Sequence, residues 1–366
     1  MRSKIYILSA LLFFLFFLIY CTSNQPPTPS EKVKEYYTFQ ITALKNEIDI
    51  LIALQVKGSD NQLRKQFLKC RLSYKHIEPF VEYYNPSTAK AINGPALVEV
   101  EPDNPEYPVA PSGFQVIEER LFPDVDRTNP KFLHQELLTL KAAVQRVDMV
   151  NKGLIFNDEA IIDALRLQLF RIQILGISGF DSPIAQSSIP ETKAAINSIS
   201  HYLGFYGSKK TNSWQKKVKE LNSYLDHHKN FNSLDRAFLI TRFFNPLGNR
   251  LNSIQQELQI PFFTEARPLK ANAGNLFEKD IFNAAYYSPS QKQNLDSNLI
   301  DLGEMLFFES RLSSNGKRNC ASCHNPKKAF TDGLSKNKSF DGKSLILRNT
   351  PTILYAIFSN CLYSPG

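Results

Sequence analysis

Apolar residues recur every three or four positions along most of the chain from residue 32 to residue 258. The clearest set on one helical face is Ile41, Leu44, Ile48 and Leu51. This period predicts amphipathic α-helices whose apolar faces meet in a shared core. A stretch at 158–175 is apolar on more than one side, which predicts a central helix. Clusters of Gly and Pro interrupt the pattern at 85–113, 176–190 and 246–248.

After residue 258 the periodic pattern lapses. Residues 259–290 are irregular, partly aromatic and rich in Pro, which indicates a linker. A second unit, 291–366, opens with a short predicted helix in which Leu299, Leu302 and Leu306 share a face. A chain of 366 residues fits two domains. No strand-type alternation of useful length occurs, so the predicted class is all-α.

The first 21 residues have the pattern of an export signal. Arg2 and Lys4 precede a continuous apolar run, which is shorter than the ~20 residues of a membrane-spanning helix. The run ends at Cys21 and resembles a bacterial lipoprotein signal, although Tyr20 stands where a small residue is usual. Residues 22–31 would be a tether. The prediction is a lipid on Cys21 and a place in the periplasm or cell envelope, attached to a membrane surface; cleavage elsewhere and an uncleaved anchor are the alternatives.

Composition narrows the possible partners. The net charge is +8 and 43% of residues are hydrophobic, which supports substantial cores. The sequence contains no nucleic-acid-binding motif and no basic stripe interleaved with aromatic residues, so no nucleic-acid partner is predicted. Two of the five cysteines, Cys70 and Cys361, could pair in an oxidising compartment, but free thiols are the favoured interpretation.

Cys320, Cys323 and His324 form the most informative motif. A Cys-x-x-Cys-His run is typical of c-type haem attachment, because both thiols can bond to the haem vinyl groups and the adjacent imidazole can bind the iron. A redox disulfide or half of a zinc site are alternatives. The first lacks a nearby βαβ pattern. The second needs two more ligands, and no histidine follows His324. The predicted fold is therefore a helical bundle followed by a small cytochrome c-like haem domain.

Residues around the motif could complete a haem pocket. The apolar candidates are Phe307, Leu312, Phe330 and Leu347. Arg311 and Arg348 could pair with the haem propionates, since guanidinium pairs bidentately with carboxylate. The alternative for both arginines is a solvated surface position. Met305 is predicted to pack in a core rather than to bind iron.

Five sequence blocks occur in a fixed order around this motif: 302–308, 311–313, 320–324, 329–333 and 348–352. They resemble the first haem domain of the bacterial di-haem cytochrome c peroxidases and their MauG-like relatives. The resemblance implies reduction of hydrogen peroxide with electrons from a small redox protein, such as a cytochrome c or a cupredoxin. It also implies a second haem in a following domain and calcium between the two domains, with Asn349 at a calcium-ligand position.

The sequence departs from this family pattern in three ways. It contains no second Cys-x-x-Cys-His run, no tryptophan in the haem unit and no histidine after His324. We therefore expect one covalent haem in this chain, a second in a full-length protein, and a haem domain that is incomplete at its C-terminus. A lone asparagine is a poor calcium site, so the alternative for Asn349 is a turn before Pro351.

The segment Gly113 to Glu118 resembles the Gly-x-His-x-x-Glu motif of imelysin-like helical proteins, with Gln115 in the histidine position. Gln115 and Glu118 lie three apart and would share a helix face. Replacement of the imidazole argues against a metal, and ordinary hydrogen bonds are the alternative. His76 and Glu78 are predicted to be a structural polar pair near a helix end.

These observations lead to an exported c-type haem oxidoreductase of the di-haem peroxidase type as the first hypothesis. A single-haem electron-transfer or haem-binding lipoprotein without peroxidase turnover is the second. A helical surface-binding lipoprotein with a vestigial haem unit is the third.

Overall fold

The computed structural model describes residues 26–98, 106–287, 297–339, 344–346 and 349–358. Predictions for Cys21, Arg348, Leu347 and Cys361 lie outside these residues. Within the described residues, helices dominate and no β-strand occurs; three isolated antiparallel bridges are the nearest approach to a sheet. The predicted all-α class is confirmed.

Most of the α-helices follow one another with short connections; the longer ones are 94–113 and 258–296. The α-helices are α1 (Pro29–Lys57), α2 (Asp60–Tyr84), α3 (Pro86–Asn93), α4 (Phe114–Leu121), α5 (Pro130–Gly153), α6 (Asp158–Arg171), α7 (Ser188–Gly204), α8 (Lys209–His227), α9 (Arg236–Leu239), α10 (Asn245–Glu257) and α11 (Ser297–Phe307). Two π-helical turns, Ile172–Gly176 and Ile240–Phe244, extend α6 and α9. Among the described helices, none has both the length and the apolar composition that a membrane crossing requires.

The chain divides into two compact units. The first contains α1–α10, up to Phe263, and the segment Asn272–Glu278. The second contains Thr264–Ala271 and the chain from Lys279 onward. Residues of the predicted linker, 259–290, are thus shared between the two units.

Side-chain caps define where several helices of the first unit begin. At α1, Glu31 N donates to Thr28 Oγ1 at 3.3 Å and Thr28 N donates to Glu31 Oε2 at 2.7 Å. Ser59 and Gln62 form the same reciprocal box at α2. Each box gives two otherwise unpaired backbone N–H groups a partner, which stabilises the helix start.

Most helices of the first unit contribute one face to its core, whereas α6 is buried on several sides. The buried face of α1 consists of Val33, Tyr37, Ile41, Leu44, Ile48 and Leu51. This face packs against α2 and α5, which confirms the predicted helical stripe. The predicted central helix is α6, and its buried apolar residues include Ile161, Ile162, Leu165 and Leu169.

Three expectations from the sequence are wrong. The predicted break at 246–248 lies inside helix α10, because Pro246 stands in its first turn, where a proline is tolerated. The predicted break at 85–113 contains helix α3, because Pro86 stands at the first helical position, where its missing N–H costs nothing. Met305 is 71% exposed rather than packed in a core. Helix α11 contains no buried residue. Its apolar residues share one face of the helix, but that face stays exposed.

Candidate haem-attachment site

The Cys-x-x-Cys-His motif forms a single capped turn. Asn319 starts a short 3₁₀-helix, Cys320–Ser322, by accepting a hydrogen bond from Ser322 N on its Oδ1 at 2.9 Å. Asn319 Nδ2 also donates to Phe308 O at 2.8 Å, which ties the turn to the segment after α11. His324 N donates to Cys320 O at 2.9 Å. The turn therefore presents both thiols and the imidazole within one local structure.

The imidazole of His324 is half-buried and oriented by the backbone. Its Nδ1 lies 3.1 Å from Phe330 O. A carbonyl oxygen only accepts, so Nδ1 carries the proton and Nε2 keeps its lone pair. A ligating histidine typically donates its other ring N–H in this way, which fixes the tautomer and the ring orientation.

The loop that supplies this carbonyl has an unusual backbone. Ala329 and Phe330 both lie in the left-handed region, with φ of 52° and 58°. Such consecutive conformations cost free energy for residues other than glycine and persist where the surroundings hold them. Phe330 N donates to Asn325 O at 2.9 Å, and Asn325 forms a bridge with Thr331. These contacts hold the carbonyl in position for His324.

Two threonines from a later block hold the same loop. Thr352 Oγ1 donates to Ala329 O at 2.6 Å, and the buried Thr350 donates to Asp332 Oδ2 at 3.0 Å. The blocks 329–333 and 348–352 thus contact each other beside His324. Sequence reasoning identified both blocks but not this contact. The role of Asn319 was also missed, although an Asn followed three residues later by Ser is a readable capping signal.

The residues predicted to line a haem pocket differ in their surroundings: two aromatic rings contact each other, whereas Leu312 and Arg311 are exposed. The rings of Phe307 and Phe330 meet edge to face with centroids 5.9 Å apart. Leu312 is 65% exposed. Arg311 is exposed, and its Nη2 lies 2.6 Å from Glu309 Oε2. Hydrogen bonds from the Arg311 side chain and backbone lower the pKa of Glu309 to about 2.

The donor set fits a c-type haem. Cys320 and Cys323 are free thiols, exposed and half-exposed, and are available for thioether bonds. His324 has a fixed tautomer with Nε2 directed away from its backbone partner. Calcium at Asn349 stays a prediction: this residue is exposed, and the described part of the chain contains no group of three or more His, Cys, Asp or Glu side chains placed to hold a metal ion.

The remaining residues singled out from the sequence lie in the first unit. Cys70 is a free thiol in the core, where burial raises its pKa. Gln115 and Glu118 are both buried on α4, with Gln115 Nε2 donating to Asn93 O at 3.2 Å. Glu118 Oε1 accepts hydrogen bonds from Ser182 and from two backbone N–H groups, at 2.6–3.0 Å. Burial raises the pKa of Glu118.

Glu78 does not form a pair with His76 near a helix end. It lies within α2, six positions before the end at Tyr84, in a buried cluster of charged side chains. Lys75 Nζ lies 2.7 Å from Glu78 Oε1 and 2.9 Å from Asp181 Oδ2. Burial alone would lower the pKa of Lys75, but Asp181, Glu78 and Glu191 together raise it. No local sequence pattern indicates this cluster, because its members come from distant segments.

Comparisons with known proteins concern the second unit. Residues 297–365 match the family model described as di-haem cytochrome c peroxidase. Cytochrome-c peroxidase IdrP2 of Denitromonas iodatirespirans is 37% identical over 71 residues, covering 19% of this chain and 19% of the relative. Methylamine utilization protein MauG of Paracoccus denitrificans is 43% identical over 72 residues, covering 18% and 19%. MauG of Methylorubrum extorquens is 42% identical over 67 residues, covering 18% and 19%.

The chain spans about a fifth of the length of these curated relatives. The matched segment contains the capped turn, His324 and the two contacting blocks. This similarity supports a haem c cofactor and the general class of haem oxidoreductases. Over residues 297–365 the chain is thus similar to the di-haem cytochrome c peroxidase and MauG-like family.

Proposed function

We propose that this protein is an exported c-type haem oxidoreductase that reduces hydrogen peroxide with electrons from a small redox protein. The observation that carries the proposal is the hydrogen bond between His324 Nδ1 and Phe330 O, in a Cys-x-x-Cys-His turn. That bond prepares Nε2 as a ligand. The similarity to cytochrome-c peroxidases supports the reaction type.

The residues of the second unit have distinct roles in this proposal. Cys320 and Cys323 hold the haem covalently, and His324 Nε2 binds its iron. Phe330 supplies both the carbonyl that orients His324 and a ring that packs on Phe307. Arg311, positioned by Glu309, has further N–H donors for a propionate. When bound, the haem supplies the metal that exchanges electrons with peroxide.

The proposed reaction sets requirements for partners. Reduction of one peroxide molecule to two water molecules consumes two electrons and two protons. A small electron-donor protein, a cytochrome c or a cupredoxin, would supply the electrons one at a time. The family resemblance further suggests that a second haem, outside residues 297–365, accepts them first.

Export and membrane attachment are part of the same proposal. The apolar run before Cys21 supports both, since c-type haem is attached in the compartment to which such a signal leads. Palmitate labelling of cells that express the protein should depend on Cys21. Cys21→Ala should lose the label, and Cys70→Ala should keep it. Equal labelling of the parent and the Cys21 variant would contradict the lipid anchor.

The experiment for the reaction uses haem-loaded protein mixed with a reduced cytochrome c. We expect donor oxidation that requires peroxide and is lost in His324→Ala. His227→Ala changes an exposed histidine at the end of α8 and is the matched control. Reversible electron exchange without consumption of peroxide would contradict the peroxidase function and favour a single-haem electron-transfer protein.

A further inference from the structure

A cavity opens on the first unit beside the buried charge cluster. Its volume is about 210 Å³, and its walls include Glu82 on α2 and Arg171 at the end of α6. A second cavity of about 200 Å³ shares both residues. The ion pair between them, with Arg171 Nη2 3.1 Å from Glu82 Oε1, therefore lies where the two cavities meet. We call the first cavity the Glu82 cleft.

The cleft combines an apolar wall with few polar atoms. Pro79, Ala164 and Leu167 form the apolar side. The polar side contains Glu82 and Gln168, together with Arg171. Small-molecule sites typically have this composition, in which apolar area supplies affinity and a few polar groups fix orientation.

Gln168 offers an acceptor to the cleft. It is 2% exposed, and its Nε2 donates to Glu78 Oε2 at 2.6 Å. Among the described residues, its carbonyl oxygen has no hydrogen-bond partner. Buried polar atoms are nearly always satisfied, so an acceptor without a partner on a residue that lines a cavity favours an occupant that donates a hydrogen bond.

The charges around the cleft favour a cation. Five carboxylates and three cations form the buried cluster: Glu78, Glu82, Glu118, Asp181 and Glu191 with Arg71, Lys75 and Arg171. When all are ionised, two negative charges remain uncompensated. Arg71 and Lys75 contact carboxylates away from Glu82. The guanidinium of Arg171 forms ion pairs with Glu78, Glu82 and Asp181, with N–O distances of 3.1–3.5 Å.

Glu82 is the accessible member of the cluster. Its side chain is 25% exposed, whereas those of the other four carboxylates are at most 4% exposed. Burial raises the pKa of Glu82 to about 7, the kind of shift that occurs often at functional sites. The π-helical turn Ile172–Gly176 starts directly after Arg171. Such turns are frequent at functional sites, which is an independent indication.

We propose that the Glu82 cleft binds a small organic amine in its ammonium form. The ammonium group would donate hydrogen bonds to the Glu82 carboxylate and to the carbonyl oxygen of Gln168. Its aliphatic or aromatic carbon skeleton would pack on Pro79, Ala164 and Leu167. This site is independent of the haem and adds a binding function in the first unit to the proposed function of the second.

Binding would be linked to pH. The groups that face Glu82 are Tyr74, Lys75 and Glu78 on α2, Arg171 on α6, and Asp181 in the turn before α7. An ammonium ion pairs with the ionised carboxylate, so binding near neutral pH expels a proton from Glu82. The affinity should therefore fall as the pH decreases below about 7.

The test is calorimetric titration of the full chain with benzylammonium chloride at pH 8 and pH 6. We expect tighter binding at pH 8, and proton release seen as a heat that depends on buffer ionisation. Glu82→Gln should weaken binding at least tenfold, and Gln168→Leu should weaken it less. Glu119→Gln removes the same charge from an exposed position of α4 and should bind like the parent.

A variant on the apolar side of the cleft tests the proposal even if Glu82→Gln does not fold. Leu167 is 38% exposed, so Leu167→Ala should fold normally and bind the probe more weakly. Equal affinity of the parent and a folded Glu82→Gln would overturn the proposal. Preferential binding of benzoate over benzylammonium would also overturn it and would indicate an anion site at Arg171.

Discussion

The two units differ in where their chemistry comes from. The first unit buries a continuous apolar core and the largest fully buried side chains, including Trp214, Arg71 and Arg166. In the second unit, α11 and the described 3₁₀-turns contain no buried residue. Its functional groups are arranged by local turns and caps. Apolar packing of distant segments therefore determines the properties of the first unit, whereas hydrogen bonds of turns, caps and the contact between blocks 329–333 and 348–352 determine those of the second.

Charged side chains show the same contrast. Lys75 in the first unit is 4% exposed and lies between carboxylates from α2 and from the turn before α7. Arg311 in the second unit is 86% exposed and pairs with Glu309, two positions away. Removing a buried partner leaves carboxylates without water or a cation, whereas removing an exposed one leaves a solvated group. The following variants test this contrast in order of expected effect.

The largest effect concerns the capped turn. Cys320→Ala combined with Cys323→Ala should abolish covalent haem, because each thioether bond to the haem uses one of these two thiols. A denaturing gel stained for haem measures this. Cys70→Ala, in the core of the first unit, should keep the stained band. The helical circular dichroism of the double variant should match that of the parent. A band that persists without Cys320 and Cys323 would contradict the assignment.

The next effect concerns Lys75. Lys75→Met should reduce the free energy of unfolding by about 3–5 kcal/mol, because it removes the cation that lies closest to the buried Glu78 and Asp181 and leaves them with the longer contacts to Arg171. Urea unfolding followed by circular dichroism measures it. The control is Lys69→Met. The Lys69 side chain is 59% exposed beside Glu47, so this variant should lower the free energy of unfolding by less than about 1 kcal/mol. Similar losses in both variants would remove the distinction between buried and exposed pairs.

The next effect is smaller and concerns Glu82, whose contribution to the free energy of unfolding should depend on pH. Burial raises the folded-state pKa of Glu82 from 4.5 to about 7. Between these values the folded state holds a proton that the unfolded state has lost, so this residue reduces stability as the pH rises through this window. The reduction is on the order of 3 kcal/mol at pH 8.

Glu82→Gln removes this titration. The stability of the variant relative to the parent should therefore increase from pH 5 to pH 8, as measured by urea unfolding at each pH. Glu119→Gln, which alters an exposed carboxylate, should show no such trend. A constant difference between parent and Glu82→Gln across this range would contradict the shifted pKa.

The smallest effect on stability is expected at Arg311. Because its ion pair with Glu309 is exposed, Arg311→Gln should leave the melting temperature unchanged. If Arg311 pairs with a haem propionate, loss of its positive charge should lower the midpoint potential of the haem. Arg146→Gln, at an exposed position of α5 in the first unit, should alter neither quantity. If the midpoint potential of the haem is unchanged in Arg311→Gln, Arg311 is a solvated surface residue that does not pair with a propionate.

Several features were determined by the sequence alone because they depend on neighbours in the chain. The helical face of α1 follows from the spacing of its apolar residues, and the caps at Thr28 and Ser59 follow from local pairs of side chains. The attachment motif is also local, since Cys320, Cys323 and His324 lie within one turn. These features need no information about what packs against them.

Other features required the tertiary structure. The carbonyl that orients His324 comes from Phe330, where two left-handed residues redirect the chain. The exposure of Met305 could not be predicted from the sequence of α11. Apolar spacing shows which residues share a helix face, but not whether another segment packs on that face. The cluster around Lys75 joins side chains separated by more than a hundred positions. Burial and charge pairing depend on contacts between distant segments, and those contacts exist only once the helices have packed.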